Sequence, residues 1–275
     1  MPARAVDCHA HVFDTGRFPY PENAAYKPPP HEAGTWQNYG AVLDAHGISH
    51  ALLVNPTSGY GTDHRAMVAA IKSGRGRFKG IAKLTPTSDE KSFATMAGQG
   101  VVGARIDLVG DGVDVVNHPG LVRRFALMRE LGWFLQVQCE KDQMAEAAPA
   151  LRATGLHMLI DHCGRPEPKA GIKQKGFQAA LALGRDGRAT VKLSGAFRFA
   201  HQPYPYGDAD PYVAALLRAF GTGGCIWGSD WPFLRPGQRV DYGPTMALLQ
   251  RWLPDARDRK AVLWKTPARL FGFKS

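Results

Sequence analysis

The sequence lacks several features that would each assign it to a particular class of protein. Its four cysteines show no C-x-x-C spacing, which argues against a disulfide scaffold and for reduced thiols. No apolar run approaches the roughly 18 residues that are needed to span a bilayer. The first predicted strand begins within a few residues of the start, so we expect no signal peptide. These absences predict a cytoplasmic protein that does not enter a membrane.

The chain also lacks sequence repeats, low-complexity linkers and any run of basic residues. Its 34 lysines and arginines exceed its 24 acidic residues and give a net charge of +10, but they are scattered. Scattered charge argues against a nucleic-acid partner, which needs a basic run or patch. A positive field that attracts a small anionic substrate fits better. A basic surface that only keeps the protein in solution is the competing interpretation.

What the chain does contain is a near-continuous alternation of short apolar segments and amphipathic ones. This alternation predicts a parallel sheet, and eight such units predict a (β/α)8 TIM barrel that forms one domain over 1–275. A doubly wound open sheet is the rival architecture, but the turn after the first strand carries no G-x-G-x-x-G. The predicted strands are Ala5–Phe13, His50–Asn55, Phe78–Leu84, Val101–Val109, Phe134–Cys139, His157–His162, Thr190–Ser194 and Cys225–Ser229.

Two irregular segments are predicted to lie over the C-terminal face of the barrel. Asp14–Gly34, rich in proline and aromatic residues, follows strand one, and His201–Pro211 follows strand seven. Long loops without regular structure in a compact domain are often lids or binding loops. We therefore expect both segments to act as lids, with surface packing as the alternative.

Two histidines near the start of the chain are the first candidates for chemistry. His9 and His11 lie two residues apart in an apolar, strand-like run. Because alternate side chains of a strand share a face, both imidazoles are expected to point the same way. Such a pair can hold a divalent metal, or polarise a carbonyl group and pass a proton. A chance pair of buried, hydrogen-bonded histidines is the other interpretation.

Polar side chains recur at the ends of all eight predicted strands. In a TIM barrel the reacting groups lie at these ends and in the loops that follow them, so the recurrence is more specific than any single residue. After strand eight, the glycine-flanked turn 228–232 presents Asp230, and a free aspartate there can act as a general base for water. An aspartate that only stabilises the turn is the alternative.

Four motifs together resemble the amidohydrolase superfamily. They are the segments 7–11, 160–166, 192–195 and 227–233. The resemblance runs from about residue 6 to Phe271 and is nearest to the branch that contains 2-pyrone-4,6-dicarboxylate lactonase and sugar-acid lactonases. It implies a distorted TIM barrel that hydrolyses a lactone.

The resemblance also implies roles for individual residues. His9, His11, His162 and Asp230 match the polar core of the family's site. The positions that hold substrate carboxylates in the dicarboxylate lactonase are matched by Arg105, Arg165 and Arg198, and Tyr26 matches a substrate-contacting tyrosine. Arginine suits this role because its planar fork pairs bidentately with a carboxylate.

The sequence departs from the family pattern at the positions that would hold two metals. Members with two metals carry a lysine on strand four and a histidine on strand five, whereas this chain has Arg105 and glutamines there. We therefore expect no two-metal centre. A single zinc or manganese ion suits the side chains by ligand type, and a metal-independent site is the alternative. The implied ligands are His9, His11 and Asp230, with His162.

Two further departures concern substrate binding. After strand four the dicarboxylate lactonase has another arginine, where this chain reads 108–111 without one. The stretch Phe233–Arg235 lacks a histidine that the lactonase pattern carries. One fewer carboxylate contact is therefore expected than in that enzyme.

The sequence thus predicts hydrolysis of a small lactone that carries a carboxylate. His9 and His11 would polarise the carbonyl group, directly or through a metal, and Asp230 would activate water while His162 steadies it. A metal-dependent decarboxylase and a lactone isomerase on the same scaffold are the alternatives. A non-catalytic barrel that binds nucleic acid is the last. The oligomeric state, monomer or homodimer, stays open.

Overall fold

The computed structural model of this protein describes residues 2–24 and 26–274. Residue 25, inside the predicted lid loop 14–34, and the two terminal residues lie outside that description. Within the described residues, eight parallel strands follow one another in chain order, which confirms the predicted (β/α)8 barrel. The strands are β1 Val6–Ala10, β2 His50–Val54, β3 Phe78–Lys83, β4 Val101–Asp107, β5 Phe134–Gln138, β6 Met158–Ile160, β7 Ala189–Leu193 and β8 Cys225–Trp227.

Helices connect the strands and continue after the last one. After β8 an irregular stretch, 228–241, leads into the last helices of the chain. No helix in the described part of the chain is long and apolar enough to cross a bilayer. The helices are α1 Trp36–Ala45, α2 Thr57–Tyr60, α3 Arg65–Ser73, α4 Lys91–Gly98, α5 Leu108–Asp111, α6 Pro119–Glu130, α7 Gln143–Ala153, α8 Lys175–Arg185, α9 Asp210–Phe220, α10 Tyr242–Trp252, α11 Ala256–Lys260 and α12 Thr266–Phe271.

Several strands end earlier than the apolar runs suggested. β1 ends at Ala10 and β6 ends at Ile160, so His11 and His162 lie just beyond their strands. The backbone leaves the extended conformation where the polar residues begin, and His162 has a φ of 48°. The polar side chains at this end of the barrel therefore come from the turns after the strands as well as from the strands themselves.

An apolar cluster fills part of the barrel interior. Its members come from strands on opposite sides of the barrel, such as Val6 of β1, Ile81 of β3 and Leu159 of β6, and they pack against Phe271 and Phe273. Burying these side chains removes apolar surface from water, which stabilises the closed sheet. The interior space nearer the C-terminal ends of the strands is left to polar side chains.

A register shift in β1 lets two consecutive residues face the interior. The pairing of β1 with β2 shifts between Asp7 and Ala10. Cys8 packs in the interior apolar cluster, and the next side chain, His9, reaches Lys192 of β7. Such an irregularity re-aims a side chain that strict alternation would point outward. The prediction that His9 and His11 converge holds, with ring centroids 5.0 Å apart.

The buried carboxylate of Asp7 joins β1 to the turn after β8. Its Oδ1 accepts hydrogen bonds from the backbone N–H of Ser229 at 2.9 Å and of His9 at 3.1 Å. Its Oδ2 accepts from the Tyr242 hydroxyl of α10 at 2.9 Å. Backbone pairing across this seam is short, since Ala10 and Trp231 form an isolated bridge. The Asp7 side chain thus supplies hydrogen bonds across the seam that a longer strand pairing would otherwise provide.

Replacing Asp7 with leucine is expected to lower the free energy of unfolding by about 3 kcal/mol or more, because three buried donors lose their acceptor. Asp7→Asn keeps an oxygen for the two backbone N–H groups and should cost clearly less. Urea unfolding followed by tryptophan fluorescence measures both. Equal stabilities of the two variants would show that the carboxylate does not hold the seam.

Candidate active site

A pocket of about 500 Å³ opens at the C-terminal ends of the strands. The structure brings the sequence-predicted residues together around it. His9 lies fully buried behind the pocket wall, with its ring centroid 4.5 Å from that of His162. The other predicted residues line the pocket: His11, Tyr26, Arg105, His162, Arg165, Arg198 and Asp230.

Asp230 lies at the centre of the histidine cluster. Its Oδ1 is 3.5 Å from His11 Nε2 and 3.7 Å from His9 Nε2. Its Oδ2 is 3.8 Å from His162 Nε2 and accepts a hydrogen bond from Arg198 Nε at 2.7 Å. The carboxylate is 1% exposed, so these groups provide almost all of its surroundings.

The backbone at Asp230 is held in an uncommon conformation. Its φ is 65°, a region that costs a non-glycine residue about 1–3 kcal/mol. The Asp230 N–H donates to the carbonyl oxygen of His9 at 2.8 Å, which ties the turn to β1. A Cβ at Gly228 would lie 2.6 Å from the Cβ of His9, so a side chain there would push the two apart. The glycine permits the close approach on which the cluster depends.

The surroundings set the charge states of the cluster. Although burial raises the pKa of Asp230, Arg198 and His162 hold it well below its usual range, so the side chain is ionised. Burial lowers the pKa of His162 to about 4 and, helped by the positive charge of Lys192, holds the pKa of His9 well below its usual value. Both imidazoles are therefore neutral near pH 7.

Hydrogen bonds on the far side of two rings fix their orientation. His11 Nδ1 lies 2.8 Å from the carbonyl oxygen of Val54 and donates to it. His162 Nδ1 lies 3.0 Å from the hydroxyl of Ser194. Gly195 has a φ of 63°, and a Cβ there would lie 2.6 Å from His162 Nδ1. Ser194 and Gly195, which follow β7, therefore fix the position of the His162 ring.

A buried charged network lies beneath the cluster, and the sequence analysis assigned it no role. Lys192 of β7 is 0% exposed and donates to Gln136 Oε1 at 2.7 Å. Its Nζ also lies 3.1 Å from Asp161 Oδ1. Burial raises the pKa of Asp161, but Lys192 and His9 hold it well below its usual range. A lysine in the middle of an otherwise apolar strand is the sequence signal that could have identified this network.

Each of the three predicted arginines already has a partner within the protein. Arg105 donates to the Thr57 hydroxyl at 2.9 Å and Arg165 pairs with Glu140 at 2.9 Å. Arg198 pairs with Asp230 and also donates to the carbonyl oxygen of Leu234 at 2.7 Å. These partners hold the guanidinium groups at the pocket wall.

Arg235 is a fourth arginine on the pocket wall, and the sequence analysis did not select it. Its guanidinium carbon lies 4.4 Å from the centroid of the Tyr26 ring. The Tyr26 hydroxyl donates to Glu32 at 2.6 Å, and the same carboxylate accepts from the backbone N–H of Arg235 at 3.1 Å. This contact links the loop after β1 to the loop after β8.

The two predicted lid loops differ in their relation to the pocket. The loop 14–34 supplies Tyr26 to the pocket wall. No described residue of His201–Pro211 lines the pocket. That loop instead contacts the loop after β6, where His201 Nε2 lies 2.5 Å from Glu167 Oε1, and α10, where Arg251 donates to Pro205.

The donor atoms of the cluster could hold one metal ion. His9, His11 and Asp230 offer ligand atoms within 4.8 Å of one another, and all three are buried. A second overlapping group is His9, Asp161 and His162. Two imidazoles and a carboxylate suit zinc or another first-row divalent ion. Among the described residues His9 Nε2 has no hydrogen-bond partner, so it is available to a ligand of the cluster.

Comparison with known proteins places the chain among lactone hydrolases and related enzymes. It is 30% identical to a 4-sulfomuconolactone hydrolase of Rhizobium radiobacter, over 99% of this chain and 91% of that protein. It is 27% identical to a 2-pyrone-4,6-dicarboxylate hydrolase of Comamonas testosteroni, over 98% and 91%. A crystal structure from Acinetobacter baumannii, described as a probable 2-pyrone-4,6-dicarboxylic acid hydrolase with citric acid bound, has a TM-score of 0.87 and 29% identity, over 98% of this chain and 99% of that one.

The family model described as Amidohydrolase matches residues 6–273, which include every strand and every member of the histidine cluster. The fold, the strand-end site and this match agree, and the chain belongs to the amidohydrolase family.

Proposed function

We propose that this protein hydrolyses a small lactone that carries an acidic group. The observation that carries the proposal is the position of an ionised, buried Asp230 among three histidines, directly beneath arginines in one pocket. A carboxylate in that setting can take a proton from water while the arginines hold an anion beside it. The likeness to hydrolases named for a sulfonated lactone and a dicarboxylate supports the same substrate class.

Arginines would orient the substrate in the pocket. Arg105, Arg165 and Arg198 line the pocket together with Tyr26. An arginine fork fits a carboxylate or sulfonate through two hydrogen bonds and so fixes its direction as well as its position. Holding the lactone carbonyl near Asp230 replaces a random encounter with an oriented one.

The chemistry begins with water, whose oxygen attacks the lactone carbonyl carbon while Asp230 accepts one of its protons. His9 and His11 would stabilise the negative charge that develops on the carbonyl oxygen, and His162 would orient the water. The ring C–O bond then breaks, and Asp230 returns the proton to the leaving oxygen. The product is a hydroxy acid that contains the substrate plus one water molecule.

A divalent zinc or manganese ion held by His9, His11 and Asp230, with His162 beside them, would polarise the carbonyl group and acidify bound water. The arginines and Asp230 keep the same tasks with or without it. We also propose a reducing, cytoplasmic location, since Cys8, Cys139, Cys163 and Cys225 are all buried free thiols.

The direct test is a panel of lactones with no, one or two acidic groups, assayed with chelator-treated and metal-supplemented protein. Products are identified by mass. Addition of one water supports hydrolysis, whereas loss of carbon dioxide indicates decarboxylation and an unchanged mass indicates isomerisation. Turnover of neutral lactones only would contradict the role of the arginines.

Asp230→Asn is expected to reduce kcat by about 10²–10⁴-fold, because the amide cannot accept the proton of water. The binding of a non-reacting dicarboxylate, measured by calorimetry, should be retained or become tighter, since the arginines remain and Arg198 loses its internal carboxylate partner. Asp241→Asn is the control, because Asp241 lies further along the chain after β8 but is exposed and pairs with Arg239. Full activity of the Asp230 variant would exclude Asp230 as the base.

Arg235→Gln is expected to lower kcat/KM for lactones with two acidic groups by about 10- to 100-fold, the range of one charged hydrogen bond. Lactones with a single acidic group should be nearly unaffected, because the deeper arginines suffice for them. Arg239→Gln, an exposed neighbour paired with Asp241, is the matched control. An equal loss for both substrate groups would show that Arg235 only supports the loop around Tyr26.

A further inference from the structure

Lys192 has a geometry that constrains the chemistry of His9. The side chain starts in the middle of β7, is 0% exposed and ends beneath the histidine cluster. An ammonium group has three N–H donors and no acceptor. Three acceptor atoms surround its Nζ: Gln136 Oε1 at 2.7 Å, Asp161 Oδ1 at 3.1 Å and His9 Nδ1 at 3.2 Å.

The lysine is held as a cation by groups that are themselves fixed. Asp161 is fully buried, and its other oxygen accepts from Gln136 Nε2 at 2.9 Å and lies 3.8 Å from Arg105 Nη1. The Gln136 amide therefore donates to Asp161 and accepts from Lys192. This arrangement leaves only one role for Lys192, that of a donor to each neighbour.

A neutral imidazole carries one proton, on either Nδ1 or Nε2. If Nδ1 of His9 accepts from Lys192, the proton must lie on Nε2. The competing arrangement is an Nδ1–H group that donates to Asp161 Oδ1, which lies 3.2 Å away. That arrangement is disfavoured because the Nδ1–H group of His9 and the ammonium hydrogens of Lys192 would then face each other across 3.2 Å, whereas a lone pair at Nδ1 accepts from Lys192.

We propose that Lys192 is a positioning residue that fixes His9 as the Nε2–H tautomer, so that His9 donates a hydrogen bond toward the pocket. His9 Nε2 has no partner among the described residues and lies 3.7 Å from Asp230 Oδ1. His11 differs, because its Nδ1 faces the carbonyl oxygen of Val54 and must carry a proton. The two histidines of one motif thus carry a proton on different ring nitrogens.

The consequence for catalysis rests on the proposed lactone hydrolysis. A donor at His9 Nε2 would stabilise the developing oxyanion, as a preorganised dipole in a site without bulk water. A metal at His9 Nε2 would require the proton to move to Nδ1, next to the ammonium group of Lys192, so Lys192 lowers the affinity of a metal that uses His9. Removal of the lysine should therefore favour metal binding over hydrogen bonding at this nitrogen.

The first test uses the wild-type protein, labelled with ¹⁵N in its histidines and treated with chelator. Two-bond proton–nitrogen spectra show which ring nitrogen carries the proton, and the His9→Gln and His11→Gln variants assign the signals. We expect Nε2–H for His9 and Nδ1–H for His11. An Nδ1–H signal for His9, or a doubly protonated ring, would overturn the proposal without any substrate.

The second test compares two buried strand lysines. Lys192→Met leaves Asp161 as the neighbour of His9 Nδ1, so the proton is expected to move to Nδ1. The affinity for zinc, measured by calorimetric titration, should then rise about tenfold or more, because a cation is removed and a lone pair is gained. Lys83→Met is the matched control, since Lys83 is 5% exposed and pairs with Asp111 of α5 away from His9. It should change neither property.

Lys192→Arg keeps a cationic donor and is expected to retain the Nε2–H signal, which also provides a variant if Lys192→Met fails to fold. An unchanged tautomer and zinc affinity in a folded Lys192→Met protein would refute the proposal. These measurements use no lactone. If they succeed while the lactone panel shows no turnover, the role of Lys192 stands and the proposed function fails; the reverse result rejects only the role of Lys192.

Discussion

The seam between β1 and the turn after β8 is the contact on which the site depends. His9 belongs to the first strand and Asp230 follows the last, so the two meet only if the barrel closes. The Asp7 carboxylate and the hydrogen bond from Asp230 N–H to the His9 carbonyl oxygen hold that closure. Because backbone pairing there is short, the histidine cluster and the seam are stabilised by the same few bonds.

Charge balance is the second constraint. A buried carboxylate or ammonium group is tolerated only when partners replace the lost water. Asp161 has Lys192, and Asp230 has Arg198, so both anions of the cluster are matched by a cation on the neighbouring part of the barrel. The cluster therefore keeps two ionised carboxylates and two neutral histidines, His9 and His162, within a few ångströms of one another, a combination that suits acid–base chemistry.

Much of the fold could be predicted because it depends on local pattern. Alternating apolar segments gave the strand order, and the positions of His9, His11 and Asp230 follow from their places at strand ends. The partners of Lys192 could not be predicted, since Gln136, Asp161 and His9 meet it across the barrel interior from distant parts of the chain. Arg235 was not predicted because its position depends on the conformation of a loop, in which Arg235 itself has a φ of 44°. The absence of 201–211 from the pocket wall depends on how that loop packs, which a sequence pattern does not show.

The internal partners of the arginines bear on selectivity. Arg165 is already paired with Glu140 and Arg198 with Asp230, so a ligand must replace a carboxylate interaction in order to use either group. A neutral ligand gains nothing by such an exchange, whereas an anionic one would restore the ion pair, so under the proposed function the site would select against neutral ligands. Arg235 differs, because it is exposed and forms no ion pair with any described residue. A second acidic group could therefore pair with Arg235 without displacing a carboxylate, and in the proposed function Arg235 would distinguish among anionic ligands.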